Sequence, residues 1–388
     1  MGEAMNNLRK FTIAYILYGS FWWGAIGPLY YLARGLSMEQ LYLLVAVYGF
    51  FVVLLEFPTG VLADRFSRQW SVTIGTLLSA GGLFLTALPG GFYFYLLIKI
   101  LMAIGTSMVS GSNTALLHNI SEDFKTDYAR VKKYNYFSLF FFLNAGAWLY
   151  VVSPGLPFVL NGVSMLLAGV LYSQLKIKTS FQKDRNDTNK IKDNVYDLAG
   201  RSLGQVLRKK MLRKIVVLSA FFTGVFLNIK WFISPLLSES GFSAKEIGLV
   251  MSVGMLLMGF GAWLREFNRK WKLQYDLLII VMVLGVVGFV YNKIILIFLF
   301  LLLFLVRSSF KIEMTFLVNK YVDERVRASV LSVENLISRL LSTVFIFSAG
   351  YVIGWWSFKG FSVFTVIWLM VAVSYFYFNK SLSKLLKQ

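Results

Sequence analysis

The 388-residue chain contains no cysteine and a single histidine, His118. The first absence excludes disulfides, thiolate nucleophiles and Cys-ligated zinc. The second excludes a multi-histidine metal site. Charge is scarce as well: 15% of residues are charged, where an ordinary soluble domain carries roughly 25%. No Gly-x-x-x-x-Gly-Lys-Ser/Thr string is present, so the chain lacks the loop that cradles a nucleotide phosphate. No nucleophile–base arrangement is apparent either. The sequence therefore points away from an enzyme, and no cofactor or metal is expected.

Apolar residues make up 57% of the chain and aromatics 17%. A soluble fold of this length would have to hide more apolar surface than one core accommodates. The apolar residues fall into runs near 11–33, 41–62, 70–88, 92–117, 134–153 and 156–174, then 214–237, 246–264, 273–291, 294–318, 328–352 and 360–379. Each is near the ~20 residues that span the hydrocarbon core. Backbone polar groups in lipid must be satisfied within the segment, so the runs are predicted to be helices. The first run shows no convincing small-residue cleavage site and is not read as a removable signal peptide.

The net charge of +20 raises the question of nucleic acid, and the placement of the charges answers it. Thirty of the 39 Lys and Arg, counting Lys214 at the edge of the seventh run, lie in the two tails and the loops after even-numbered runs; four lie in the opposite loops. This asymmetry places both termini in the cytoplasm and the chain in the cell membrane. Contact with anionic lipid follows from it, and nucleic acid is not an expected partner.

The one long polar stretch, 175–213, is a cytoplasmic linker by its charge and low hydrophobicity. It separates an N-terminal bundle, 1–174, from a C-terminal bundle, 214–388. The halves repeat one another. Gly35-Leu-Ser-Met-Glu-Gln-Leu41 follows the first run and Gly241-Phe-Ser-Ala-Lys-Glu-Ile247 follows the seventh, downstream of Pro28 and Pro235. Gly60 to Gln69 follows the second run and Gly261 to Lys270 the eighth. The two offsets, 206 and 201 residues, agree, as a duplicated six-helix unit requires. The fold class is thus an all-α membrane protein of twelve transmembrane helices in two pseudo-symmetric halves, and parallel repeats of this kind are a transporter architecture.

Gly60-Val-Leu-Ala-Asp64-Arg65-Phe66-Ser67-Arg68-Gln69 resembles motif A of the major facilitator superfamily, Gly-x-x-x-Asp-Arg-x-Gly-Arg-Arg/Lys. Glu56-Phe57-Pro58-Thr59-Gly60 and Ser110 to Leu117 are similar to strings in bacterial drug-efflux-like members. Physically, Gly60 permits close helix approach, Asp64 suits the positive N-terminus of a neighbouring helix, and Arg65 and Arg68 can bridge to carboxylates or carbonyls. The resemblance implies that Gly60, Asp64, Arg65 and Arg68 latch the halves together in the outward-facing state; the plainer reading makes the arginines topology charges. The match departs from the motif at Ser67 and Gln69, and the C-terminal copy inverts the charge order, with Arg265 at the Asp position and Glu266 after it. The helix-4 Arg-Gly and helix-5 Gly-Pro signatures of drug:proton antiporters are poorly matched.

Ionisable residues inside the runs are costly unless hydrated or paired. The resemblance implies that helices 1, 4, 7 and 10 line the central pathway, which places Lys99, Lys230, Arg307, Lys311 and Glu313 on candidate cavity helices. Arg307 and Lys311 share one face of run ten. Asn113, Asn228 and Trp22 complete the candidate substrate cavity. One reading is a basic cavity for an anionic substrate; the other pairs these cations with Glu56, Glu313 and Glu334 to hold helices together, with Lys99 and Lys230 snorkelling. A partner for Glu313 is expected on run eleven. Glu313, Glu334 and Glu56 are the proton-coupling candidates.

These features describe a monomeric secondary transporter that moves a small organic or amphipathic compound by alternating access. The resemblance implies proton-driven export. An importer or uniporter of an organic anion, or a flippase of an anionic lipid on the same fold, is the alternative.

Overall fold

The computed structural model describes residues 2–65, 67–176, 204, 206, 208–267, 272–322 and 327–377. Among these the chain is helical: α1 (Gly2–Tyr18), α2 (Gly27–Ala33), α3 (Met38–Arg65), α4 (Arg68–Ala87), α5 (Phe92–Val109), α6 (Ser112–Ile120), α7 (Phe124–Val152), α8 (Leu156–Ser173), α9 (Lys210–Glu239), α10 (Ala244–Phe267), α11 (Leu273–Val286), α12 (Lys293–Tyr321) and α13 (Arg327–Tyr377). Nine described helical segments are long and apolar enough to cross a bilayer. One of them, within α13, breaks at Ser357, where φ is 58° and the helix turns back. With that segment counted as two passes, α1 and α2 as one interrupted pass, and α11 with its short 3-10 extension as another, the elements fall into twelve segments at the predicted positions. Most of linker 175–213, at 177–203, lies outside the described residues.

The repeated Gly-x-Ser strings adopt the same local structure in both halves. Gly35 and Gly241 have φ of 83° and 81°, a left-handed conformation that costs a glycine little. Each is followed by a reciprocal cap. The Ser37 amide donates to the Gln40 side chain at 3.1 Å, and the Gln40 amide to the Ser37 hydroxyl at 3.3 Å. Ser243 and Glu246 do the same at 2.6 and 3.3 Å. This Ser-x-x-Gln/Glu exchange satisfies two orphan amides at a helix start, which explains why the string survives in both copies.

The chain divides into two compact units. The first comprises 1–184 with 241–255. Its core gathers Phe11, Val72, Leu116, Leu117, Val131 and Tyr172. α4 packs tightly on α5: a Cβ at Gly75 would lie 2.5 Å from the Gly105 carbonyl oxygen. Gly60, by contrast, is exposed, and among the described residues nothing lies within 4 Å of its missing Cβ. The close approach expected at the motif glycine is therefore found one helix later.

The predicted first run is not continuous. Between α1 and α2 the backbone unwinds over Gly19–Ile26, with Phe21 at φ 39°. A Gly-Ser pair weakens a helix here, and neighbours support the opened chain. The Asn161 amide donates to Ser20 at 3.3 Å and the Trp22 indole to Ser164 at 3.1 Å, both on α8. Gly146 of α7 leaves room for the Trp22 carbonyl. Opened backbone at membrane depth is tolerated where protein groups re-satisfy it.

The second unit comprises 185–240 and 256–388. α9 and α13 form its main seam. The Asn228 amide donates to the Ser342 hydroxyl at 2.7 Å and carbonyl at 3.0 Å, and to the Gly224 carbonyl at 3.0 Å. Phe232 stacks on Phe361 with centroids 4.1 Å apart. At the Ser357 corner, the Ser362 hydroxyl accepts from the Gly288 amide at 2.9 Å, and Lys359 lies over the Tyr291 ring.

Candidate functional site

In the first unit the motif residues divide. The side chains of Asp64 and Arg65 lie outside the described residues. Arg68 opens α4 directly after Ser67, whose hydroxyl accepts from the Trp70 amide at 3.5 Å. Serine at the motif's second glycine position thus serves as a helix cap. Gln69, which replaces the motif's last basic residue, donates to the carbonyls of Tyr172, Ser173 and Leu175 at 2.9, 3.0 and 2.7 Å. Tyr172 and Ser173 end α8 and Leu175 follows its cap, a place where carbonyls outnumber backbone donors, although Tyr172 also accepts from the Leu175 amide at 3.3 Å. Both departures have local structural roles.

Glu56 accepts a hydrogen bond at 2.8 Å from Ser110, the residue at which helix four breaks into α5 and α6. Lys99 is 5% exposed, its ammonium 4.9 Å from the Tyr31 ring centroid and 5.6 Å from that of Trp23. This is an aromatic enclosure of a cation, inside the first unit rather than at the membrane surface. Trp22 donates to Ser164 and packs on Phe142 at 4.9 Å. Asn113 is buried in the first turn of α6.

The second unit brings more of the candidates together. Glu334, 3% exposed, accepts from the Ser219 hydroxyl at 2.5 Å and from the Lys311 ammonium at 3.1 Å, so one carboxylate oxygen joins α9, α12 and α13. The pair is asymmetric in access: the Lys311 side chain is 44% exposed and that of Glu334 is 4% exposed. One turn before Lys311, the Arg307 guanidinium lies 5.2 Å from the Phe226 ring centroid. Lys230, one turn after Phe226 on α9, is close enough to Arg307 to interact with its charge. Lys230, Arg307 and Lys311 are all partly exposed. Asn228, on the same helix, is instead committed to Ser342.

Glu313 corrects one expectation. Its partner is not on the eleventh segment but on the eighth: Arg265 of α10 donates to it at 2.5 Å. The same guanidinium lies 3.6 Å from Asp276 of α11, which is fully buried and accepts from Ser309 at 3.1 Å. The inverted C-terminal motif therefore has a partner set of its own, an arginine between two carboxylates. Gly261, one turn earlier, makes it possible: a Cβ there would lie against the Leu305 carbonyl and 2.5 Å from the Ser308 hydroxyl, so the α10 backbone meets the α12 backbone directly. Asp276 was missing from the sequence-derived site. Its signal was legible: a carboxylate four residues inside a predicted apolar run.

Solved structures share this fold. The chain superposes on the nucleoside transporter NupG with a TM-score of 0.76 and 13% identity, covering 97% of this chain and 100% of that one. A bacterial homologue of the human lysosomal transporter Spinster, inward-facing and unoccupied, gives 0.76 and 14%, covering 97% and 96%. A D-xylose–proton symporter gives 0.71 and 14%, covering 96% and 97%. In sequence, the chain is 24% identical over 235 residues to YxaM of Bacillus subtilis (strain 168), an uncharacterised MFS-type transporter; the match covers 58% of this chain and spans 57% of that relative's length. Residues 11–345 match the family as a whole, and the chain belongs to the Major Facilitator Superfamily.

Proposed function

We propose that this chain is a proton-coupled secondary transporter of a small organic compound, working by alternating access in the cell membrane, with Glu334 as its coupling carboxylate. The observation that carries the reading is the burial of Glu334 with, among the described residues, the Lys311 ammonium as its ion-pair partner and the Ser219 hydroxyl as its other donor. A buried carboxylate whose cation is withdrawn is strongly destabilised in its charged form. That is the chemistry a proton-driven cycle needs. The symporter and nucleoside transporter of like fold support solute transport in general. Glu313, held by Arg265, and Glu56, held by Ser110, are assigned to helix tethering, and the 60–69 segment to the latch between states.

The direction follows from how substrate and proton interact. A substrate that competes with the proton is exported, as the resemblance of 56–69 to efflux-like members suggests. A substrate that binds together with the proton is taken up.

The test uses the purified protein in liposomes with a pH-sensitive dye trapped inside. Gradients of nucleosides, sugars, peptides and organic acids are imposed in turn. At least one should drive proton movement, and Glu334→Gln should abolish that movement while substrate counterflow persists. Equal proton flux in wild type and Glu334→Gln would refute coupling at this residue.

A further inference from the structure

The start of α9 withdraws a charge from water without giving it a counterion. Lys214, in the second turn, is 4% exposed, and among the described residues nothing accepts a hydrogen bond from its ammonium. A buried charge in that condition is strongly unfavourable. Its neighbours add positive potential: Arg208, Lys209 and Lys210 precede it, all exposed, and Arg213 beside it donates to the Tyr375 hydroxyl at 3.0 Å. The helix contributes a positive end of its own. No side chain caps α9, and its first backbone bond runs from the Arg213 amide to the Lys209 carbonyl at 3.0 Å. The amides of Lys210, Met211 and Leu212 therefore have no acceptor in the helix, and the aligned dipoles of its 30 residues concentrate positive charge there. A long helical side chain leans back over the turn that precedes it. Lys214 thus reaches toward Lys210, which lies one turn earlier on the same face, about 6 Å along the axis. A backbone terminus and a buried ammonium, two separate features, converge on one place and call for the same thing, an acceptor that carries negative charge.

We propose that the start of α9 is a phosphate site, in which the Lys214 ammonium and the amides of the first turn hold the phosphate of an anionic phospholipid. Phosphate suits the place because its oxygens accept from an ammonium and from several amides at once. The lysine stem is flexible, so the ammonium meets the phosphate without movement of the backbone. The lipid is the favoured source because of depth. Lys210–Glu239 is long and apolar enough to cross a bilayer, and Lys214 lies one turn inside its first residue. The charge asymmetry of the sequence puts that end on the cytoplasmic side, at the level where basic clusters meet anionic headgroups. A free phosphate offers the same oxygens, and the experiment separates the two sources. The inference goes beyond the transport reading and does not depend on Glu334.

The experiment follows thermal unfolding of the full-length protein purified in dodecyl maltoside. The probes are phosphatidylglycerol doped into the micelles, phosphatidylcholine of the same acyl chains at the same level, and inorganic phosphate against chloride at equal ionic strength. Phosphatidylglycerol should raise the wild-type melting temperature by about 4 °C or more beyond phosphatidylcholine. Lys214→Met should lose at least half of that gain, whereas Lys320→Gln, which removes a charge in the last turn of α12, should keep it. Without lipid, Lys214→Met should melt at or above wild type, because it replaces an unpartnered buried charge with an apolar chain. That readout separates a lysine kept for a ligand from one that supports the fold. Native mass spectrometry then counts bound lipid, and wild type should hold phosphatidylglycerol about tenfold more tightly than Lys214→Met. A gain from inorganic phosphate equal to that from phosphatidylglycerol would keep the phosphate site and overturn the lipid as its source. Three results would overturn the site itself: no gain from either phosphate probe over its control, a full gain retained in Lys214→Met, or a lipid-free Lys214→Met that melts below wild type. None of them touches coupling at Glu334, which the liposome assay reads separately.

Discussion

Replacing Arg265 with methionine isolates the strongest electrostatic arrangement in the second unit. The guanidinium, 9% exposed, stands between Glu313 at 2.5 Å and fully buried Asp276 at 3.6 Å. At an effective dielectric of about 20, a pair 3.6 Å apart is worth about 4 to 5 kcal/mol. Removing one partner of a buried pair costs about 3 to 5 kcal/mol. The Glu313 contact adds less than its distance suggests, because that side chain is 23% exposed. A loss of about 4 kcal/mol corresponds to a fall in melting temperature of roughly 10 °C, at about 2 to 4 °C per kcal/mol. The assay is thermal unfolding of the purified protein followed by a thiol-independent signal such as intrinsic fluorescence. The diagnostic arm is the combined variant Arg265→Met, Asp276→Asn, Glu313→Gln. It removes both carboxylates with the cation and should recover at least half of the loss. An Arg265→Met protein that melts within about 2 °C of wild type would refute the reasoning, as would a combined variant less stable than the single one.

Three further outcomes are expected. Gln69→Ala removes the side-chain donor to the Ser173 and Leu175 carbonyls, while Tyr172 keeps the Leu175 amide, and should cost about 1 to 3 kcal/mol, read as lower melting temperature, while Gln69→Arg, which keeps donors at that reach, should lose less. Gly75→Ala should destabilise by about 1 to 3 kcal/mol through overpacking against α5, whereas Gly60→Ala should leave thermal stability unchanged; a reversal of that order would contradict the packing seen at the two glycines. Asn228→Ala should cost about 1 to 3 kcal/mol by removing the side-chain amide that ties α9 to Ser342 of α13, measurable by the same unfolding curve, and leave the pH dependence of transport unaltered.

The parts of this fold that local chemistry dictates were readable from the chain. Apolar runs gave the helical segments, and the Gly-x-Ser strings proved to be matched caps with matched left-handed glycines. The parts that depend on distant neighbours were not. The opening at Gly19–Ile26 looks in sequence like ordinary apolar helix, because Asn161, Ser164 and Gly146, which sustain it, lie more than a hundred residues downstream. Spacing alone placed Arg307 and Lys311 on one face, yet could not choose among partners: Glu313 found Arg265, 48 positions away, and Glu334 took Lys311. Asp276 was overlooked because a run judged by its greasy average conceals a single acid.

The interruption between α1 and α2 has a mechanical consequence. Below it, Tyr15 takes the Lys132 ammonium at 2.6 Å and Phe11 meets Tyr172; above it, Tyr30 donates to the Thr86 carbonyl at 2.8 Å and its neighbour Tyr31 meets Tyr95. The lower piece is moored to α7 and α8, the upper to α4, α5 and, through Tyr30 on Phe158 at 4.5 Å, α8 as well. A continuous rod here would bind its two ends into one unit, whereas the break at Phe21 leaves each piece with contacts of its own and α8 as their shared support, through Tyr172 for the lower piece and Phe158 for the upper.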